Sequence, residues 1–342
     1  VNKFRGDPRL FDGGLAALAE RTGLRCFGVV PYLPEAAALP AEDSLALAPR
    51  SNPMKDPLHP LGGEGRVRGE LPQPDAGITP SHQPSPPKGR GRKKLRGGNE
   101  GRLRIAVPVL PHIANFDDLD PLAAEPAVKL TLARPGRPLP REAALVILPG
   151  SKATLADLDF LRHEGWDIDI LAHHRHGGHV LGLCGGYQML GRSITDPAGI
   201  EGRPGSAPGL GLLAVDTVLR GDKRLAAVSG VELESGMPVE GYEMHLGVTA
   251  GPGLERPMLR LESGCDGCVS ADGRVAGCYL HGLFASDPFR RAFLARRGAA
   301  SAIAFEERVE RALEALADRL EACLDLPALL AAAREPLLTR AA

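Results

Sequence analysis

No Gly-Lys pair occurs anywhere in the 342 residues, so the phosphate-cradling pattern G-x-x-x-x-G-K-[ST] is absent. No apolar run reaches the length of a membrane span, and no secretory leader precedes the first patterned segment. A formal net charge of −1 leaves no basic excess from which to expect nucleic acid as a partner. With nothing pointing to secretion, the six cysteines are expected to be reduced. These absences argue against membrane and nucleic-acid functions and lead to the expectation of a cytoplasmic enzyme. A hydrophobic content of 43% over 342 residues supplies a real core and leaves room for two domains.

What the chain does have is concentrated in His179-Val-Leu-Gly-Leu-Cys-Gly-Gly-Tyr-Gln-Met-Leu-Gly191. Val180, Leu181 and Leu183 read as a buried strand, Tyr187–Leu190 as the opening of a helix, and Cys184 stands between them. Gly182-x-Cys184-x-Gly186 is the cysteine form of the nucleophile elbow, in which a strained strand-to-helix turn lifts one side chain above a sheet. The helix start just beyond favours a thiolate and a developing oxyanion. Taken alone, the pattern also fits a structural cysteine at a glycine-rich turn.

A base is available. Val275-Ala-Gly-Cys-Tyr-Leu-His281 reads as a late strand ending in histidine, and in an open parallel sheet it ends on the same edge as Cys184. A thiol–imidazole pair there is the activated nucleophile of acyl transfer. Ala144-Leu-Val-Ile-Leu-Pro-Gly150-Ser151 is a third strand running into a turn. The N–H groups of Gly150 and Ser151, with that of Gly185, are candidates to hold an oxyanion.

These three segments, in this order, resemble the class I glutamine amidotransferase family. Leu148-Pro-Gly-Ser-Lys152 with Asp157-Leu158, Gly182–Gly191, Gly241-Tyr-Glu-Met-His-Leu-Gly247 and Tyr279-Leu-His-Gly-Leu-Phe284 are similar to the cobyric acid synthase family. So are Val1-Asn-Lys-Phe-Arg-Gly-Asp7, Pro31-Tyr-Leu-Pro34 and Leu39-Pro-Ala-Glu-Asp-Ser44, which match the end of its ATP-dependent synthetase domain. The related cobyrinic acid a,c-diamide synthase family shares the architecture, but the Pro-Ala-Glu-Asp-Ser run favours the first. The resemblance covers residues 1–47 and 103–297. It implies an α/β fold with an open, mostly parallel sheet flanked by helices, preceded by the last α/β unit of a P-loop-type synthetase domain. Its boundaries are 1–48 for that remnant, 49–102 for an inserted linker, 103–297 for the amidotransferase domain and 298–342 for a helical segment.

The resemblance further implies glutamine hydrolysis at Cys184 and His281. The ammonia passes to carboxylates of a corrinoid acid, taking adenosylcobyrinic acid a,c-diamide to adenosylcobyric acid in cobalamin biosynthesis. ATP and Mg2+ are bound mainly by an upstream synthetase domain, with Asn2 and Lys3 at its nucleotide-base position, and the glutaminase half needs no cofactor. A cysteine hydrolase of the same superfamily and a non-catalytic binding subunit are the competing classes; the second fits poorly, since Cys184 and His281 are both present. One departure stands out. Class I domains carry an acid two positions after the histidine, where this chain has Leu283. His281 is therefore oriented by another group, or works in a Cys–His dyad. Glu243 is the nearest motif candidate, although Tyr242, Glu243 and His245 equally suit a role facing the amide acceptor.

Two metal-like clusters resolve into simpler readings. Cys265-x-x-Cys268 with Cys278 and His281 has zinc-like spacing, but Asp266-Gly267 makes a turn between edge strands and His281 is wanted for chemistry. His173, His174, His176 and His179 fall where a helix over Asp157–His174 ends, complementing its dipole. No metal is expected. Residues 50–100 turn to Pro, Gly, Arg and Lys without apolar periodicity, and Ser85-Pro-Pro-Lys-Gly-Arg-Gly-Arg-Lys-Lys94 cannot bury enough surface to order itself. A basic arm for nucleic acid is disfavoured, for no aromatic residue is interleaved. Elsewhere, helices are expected over 12–22 and 306–330 and strands over Cys26–Val30, Ile105–Leu110, Leu212–Leu219 and Gly241–Thr249. The loop Pro111–Asp118 is expected to face the partner domain.

Overall fold

The computed structural model describes residues 1–39, 101–221 and 224–334. Pro40–Ser44 and the expected insertion, but for its last two residues, lie outside them. The described residues before and after that stretch belong to one unit.

Leu103–Pro108 (β1), Leu145–Leu148 (β4) and His179–Leu183 (β6) are near-continuous apolar runs, the signature of strands covered on both faces. They lie in a six-stranded sheet of order β15–β16–β6–β4–β1–β3, with Val128–Ala133 as β3, Cys268–Val269 as β15 and Val275–Cys278 as β16. All neighbours are parallel except β15, an antiparallel edge strand. Alternation divides each strand between two cores. Ile105, Val107, Leu145, Ile147, Leu181 and Leu183 pack with Leu122 of α2 (Asp120–Ala123) and Phe289 and Phe293 of α6 (Asp287–Ala295). Ala106, Val146, Leu148 and Val180 face α3 (Thr154–His163), α4 (Trp166–Arg175) and α5 (Gly185–Leu190).

Register positions the site. Leu148 pairs with Gly182, and Leu183 with Cys278, so β4, β6 and β16 end in line. The residues that follow, Gly150–Ser151 (β5), Cys184 and Leu280–His281 (β17), emerge side by side at the carboxyl edge, where open α/β sheets bind ligands. β5 pairs with Ile113–Ala114 (β2). β17 joins an antiparallel sheet of order β14–β13–β10–β11–β17, built from Arg224–Glu232 (β10), Pro238–His245 (β11), Leu259–Leu261 (β13) and Gly264–Asp266 (β14). Ser193–Asp196 (β7), Gly205–Pro208 (β8), Asp216–Val218 (β9) and Val248–Ala250 (β12) form a further sheet beside it.

Several expected elements differ. The helix over Asp157–His174 is two, α3 and α4, because Gly165 takes φ 72° and breaks the run. Gly241–Thr249 likewise divides into β11 and β12 around Gly247, and Leu212–Leu219 contracts to β9. Cys26–Val30 forms no continuous strand: it makes the isolated bridge Gly28 to Leu324, and Val30 bonds to Val1 and Phe4. Asp12–Thr22 is helical as expected (α1), ending at Gly23. The carboxy-terminal spacing becomes α7 (Phe305–Cys323) and α8 (Leu326–Arg334), and in α7 Phe305 and Ala312 are buried whereas Leu313 is exposed.

Candidate active site

Cys184 stands at the end of β6 with φ 50° and ψ −111°, a region costing a non-glycine residue of the order of 1–3 kcal/mol. The turn is held there by Cys184 N–H donating to Cys278 O at 2.9 Å and Gln188 N–H to Cys184 O at 3.1 Å. It can be this tight because residue 186 lacks a side chain: a Cβ there would run into the carbonyl of Leu148. The Sγ lies 3.6 Å from Met244 O.

Beside the thiol lies the β2–β5 ladder. Lys152 N–H donates to His112 O at 2.8 Å, while Ile113 N–H turns to Leu110 O. By the alternation of antiparallel pairs, Ile113/Ser151 is then the non-bonded pair and Ala114/Gly150 the bonded one. Gly150 N–H is therefore taken by Ala114, and Ser151 N–H points away from β2. A Cβ on Gly185 would sit 2.9 Å from Ser151 N. The backbones of residues 151 and 185 thus meet next to Cys184, closer than any side chain at 185 would allow.

His281 is fully buried. Its Nδ1 donates to Asp118 Oδ2 at 2.7 Å, and Asp118 Oδ1 accepts Gly282 N–H at 2.7 Å. A carboxylate only accepts, so Nδ1 carries the proton and Nε2 is left for Cys184, with which His281 is also hydrogen-bonded. Burial opposes a charge on the ring, but hydrogen bonds to Asp118 and Cys184 and their negative charge raise it from 6.5 to about 10. Tyr242, paired with His281 across β11–β17, stacks on the ring at 5.2 Å. Asn115 Nδ2 is 3.0 Å from Nε2 and 3.3 Å from Nδ1. Such near-equal distances put the amide over the ring face, outside the plane of the Nε2 lone pair. Buried Asp266 accepts Tyr279 N–H and Leu280 N–H at 3.0–3.1 Å, fixing the step that aims His281.

Asp118 was not found from sequence. It sits 163 residues from His281 in a 3-10 turn, Phe116–Leu119, that starts from left-handed Asn115, φ 48°. The loop expected to face a partner domain thus turns Asp118 inward to the histidine. The available signal was an acidic pair, Asp117-Asp118, at the end of the Pro111–Asp118 loop that follows β1. Asp117 is the poorer candidate: burial, then the neighbouring Asp118, push its carboxyl up to about 6. Glu243, the motif candidate, is buried opposite Leu280 in β11, whereas the carboxylate bonded to His281 Nδ1 is that of Asp118.

A cavity of about 170 Å³ opens in front of Cys184, lined also by Asn115, Ser151, Gln188, Glu201 and Met244. Gln188 is locked by Thr154 Oγ1 at 3.2 Å, Leu246 O at 3.0 Å and Tyr279 OH at 3.2 Å. Glu201 accepts Thr154 N–H at 2.7 Å. Asn2 and Lys3 are exposed and do not line this cavity. Cys265 is exposed while Cys268 and Cys278 are buried, and among the described residues no three His, Cys, Asp or Glu side chains are grouped to hold a metal. His173, His174 and His176 bond to His179 O, Asp272 and Ala172 O respectively.

A family model described as a CobB/CobQ-like glutamine amidotransferase domain matches residues 104–289. Cobyric acid synthase of Cereibacter sphaeroides is 49% identical over 335 residues, covering 98% of this chain and 60% of that protein. Cobyric acid synthase of Methylobacterium nodulans is 52% identical, covering 97% of this chain and 60% of its own length. The solved structure of PurLQS from Thermotoga maritima aligns with 63% of this chain and 99% of that one at 17% identity and a TM-score of 0.40. The chain thus spans about 60% of the length of the curated relatives it matches. With the family model covering more than half of its residues, the chain belongs to the CobB/CobQ-like glutamine amidotransferase family.

Proposed function

We propose that this chain hydrolyses the side-chain amide of glutamine through a thioester on Cys184. The ammonia amidates carboxylates of a corrinoid acid, taking adenosylcobyrinic acid a,c-diamide to adenosylcobyric acid in cobalamin biosynthesis, in the cytoplasm. What carries the proposal is the line Asp118–His281–Cys184 at one sheet edge, with a strained thiol lining a cavity.

His281, its basicity raised to about 10, takes the Sγ proton of Cys184 at Nε2. The thiolate attacks the amide carbon, and negative charge forms on its oxygen. The N–H groups of Ser151 and Gly185 stabilise it, Gly150 contributing the strand that aims Ser151. Collapse breaks the C–N bond, with the Nε2 proton of His281 going to the nitrogen, which departs as ammonia. His281, now neutral, takes a proton from water as that water attacks the thioester. Glutamate leaves and the thiolate and imidazolium return. Asp118 keeps the Nδ1–H tautomer through every step.

Amidation draws on ATP and Mg2+, and the relatives' remaining length is where we place their sites. The chain has no Gly-Lys pair for a phosphate loop, so its own residues do not fit the nucleotide phosphates through that motif. Asn2 and Lys3 are assigned the edge of the nucleotide-base site. Incubating full-length protein with glutamine, ATP, Mg2+ and the corrinoid substrate tests the proposal. Glutamate and amidated corrinoid should form together, and Cys184→Ser should lose both. Glutamine hydrolysis with no amidation of any corrinoid acid indicates a cysteine hydrolase instead; amidation of unmodified cobyrinic acid indicates the a,c-diamide synthase activity.

A further inference from the structure

We infer that Asp157 is a positioning residue that sets the oxyanion cradle by clamping both chains of the β2–β5 ladder, with His112 as its outer end; this rests on the proposed glutaminase function. Asp157 lies in the first turns of α3, and its side chain is 0% exposed. A buried carboxylate is expensive unless its oxygens are well bonded. Here Oδ2 accepts Ser151 Oγ–H at 2.7 Å and Oδ1 lies 2.9 Å from His112 Nδ1, with His112 N–H 3.3 Å from both oxygens.

Ser151 is in β5, and His112 is the residue just before β2, bonded across to Lys152. Ser151 supplies the N–H beside Gly185. Its Oγ accepts Ala153 N–H at 3.0 Å, which leaves the hydroxyl proton for Asp157. His112 is the residue whose carbonyl takes Lys152 N–H and so fixes which amide of β5 is turned away from β2. A carboxylate needed only for the core or for capping α3 would have no reason to bond both Ser151 and the residue that leads into the opposite strand. Donors must lie about 2.7–3.1 Å from the oxyanion to act, so slack of a few tenths of an ångström at Ser151 weakens the transition state more than glutamine binding. The chain of bonds reaches the surface at His112, whose side chain is 52% exposed.

The test uses full-length protein carrying Asp157→Asn, Asp157→Ala, Ser151→Ala, the Asp157→Ala/Ser151→Ala pair, and Asp159→Asn as a control on the exposed side of α3. Four quantities are read: kcat and KM for glutamine hydrolysis, affinity for glutamate γ-semialdehyde, whose thiohemiacetal puts an oxyanion in the cradle, and the rate of Cys184 alkylation by iodoacetamide, which needs no cradle. Asp157→Ala is expected to lower kcat about 10- to 100-fold, less than the loss of a whole donor, with KM little changed. Semialdehyde affinity should fall in parallel and alkylation stay at the wild-type rate, with Asp157→Asn part-way back. Ser151→Ala should give the same signature, and the pair should be no worse than the more damaging single change, as members of one chain of bonds are. Additive losses, unchanged semialdehyde affinity, or alkylation falling with kcat would overturn the inference. If wild type releases no ammonia, or Cys184→Ser still does, it is the proposed function that fails.

Discussion

Replacing Asp118 by Asn removes a charge while preserving shape, and the structure says why shape is not enough. Oδ2 receives His281 Nδ1–H and Oδ1 receives Gly282 N–H, each at 2.7 Å. An amide has one oxygen, so the asparagine side chain satisfies one donor and turns an NH2 group on the other. If Gly282 keeps its acceptor, His281 must accept at Nδ1 and carry its proton on Nε2, where it can no longer take one from Cys184. If His281 keeps its tautomer, a buried N–H is left unsatisfied at a cost of about 1–3 kcal/mol. The charge matters as well. The rise of His281 from 6.5 to about 10 corresponds to roughly 5 kcal/mol favouring the imidazolium, shared between Asp118 and Cys184. In a serine triad the same exchange costs about 10⁴ in kcat. A thiol ionises and attacks more readily, so a loss of about 10²- to 10³-fold is expected here, with KM for glutamine little changed. Steady-state ammonia release by Asp118→Asn, checked for native folding by circular dichroism, measures it. A rate within about threefold of wild type, alongside inactivity of Glu243→Gln, would refute the triad and make Glu243 the orienting acid.

Cys184→Ser is expected to abolish glutamine hydrolysis while full-length protein still amidates from free ammonia; equal loss of both activities in a folded variant would contradict the thiol's assignment. The raised His281 sets a pH dependence of stability: its contribution is complete below about 6.5 and is lost as pH rises through about 10. The Tm difference between wild type and Asp118→Asn should therefore be larger near pH 6.5 than above pH 10, and a difference that grows with pH would be the wrong sign. Trp166 is fully buried, donates to Arg137 O at 2.8 Å and meets Phe160 edge-on. Trp166→Ala should cost about 3–5 kcal/mol in urea unfolding, and a cost under about 1 kcal/mol would misplace that core.

The convergence of Cys184, His281 and Ser151 was legible because each follows an apolar run, and parallel strands that end in register must present their next residues together. Asp118 was not. Its strand, β1, was readable, but which of Asp117 and Asp118 points inward depends on the left-handed Asn115 and the 3-10 turn it starts. Likewise the turn at Gly150-Ser151 was readable, yet which amide is free depends on the ladder with His112–Ala114, a pairing that leaves no trace in local composition. The break at Gly165 fell inside a continuous helical pattern, where one left-handed residue outweighed the propensities around it. The helix expected over 306–330 is present as α7 and α8, yet Leu313 within α7 is 44% exposed.

The most direct measurement is labelling of full-length protein with 6-diazo-5-oxo-norleucine, a glutamine analogue that alkylates the thiol attacking the amide. Intact-mass and peptide analysis should find one adduct per chain on Cys184, formation slowed by glutamine, and ammonia release lost in proportion to labelling. Adducts on another residue, or ammonia release at the full rate from protein fully labelled at Cys184, would contradict a thioester at this site.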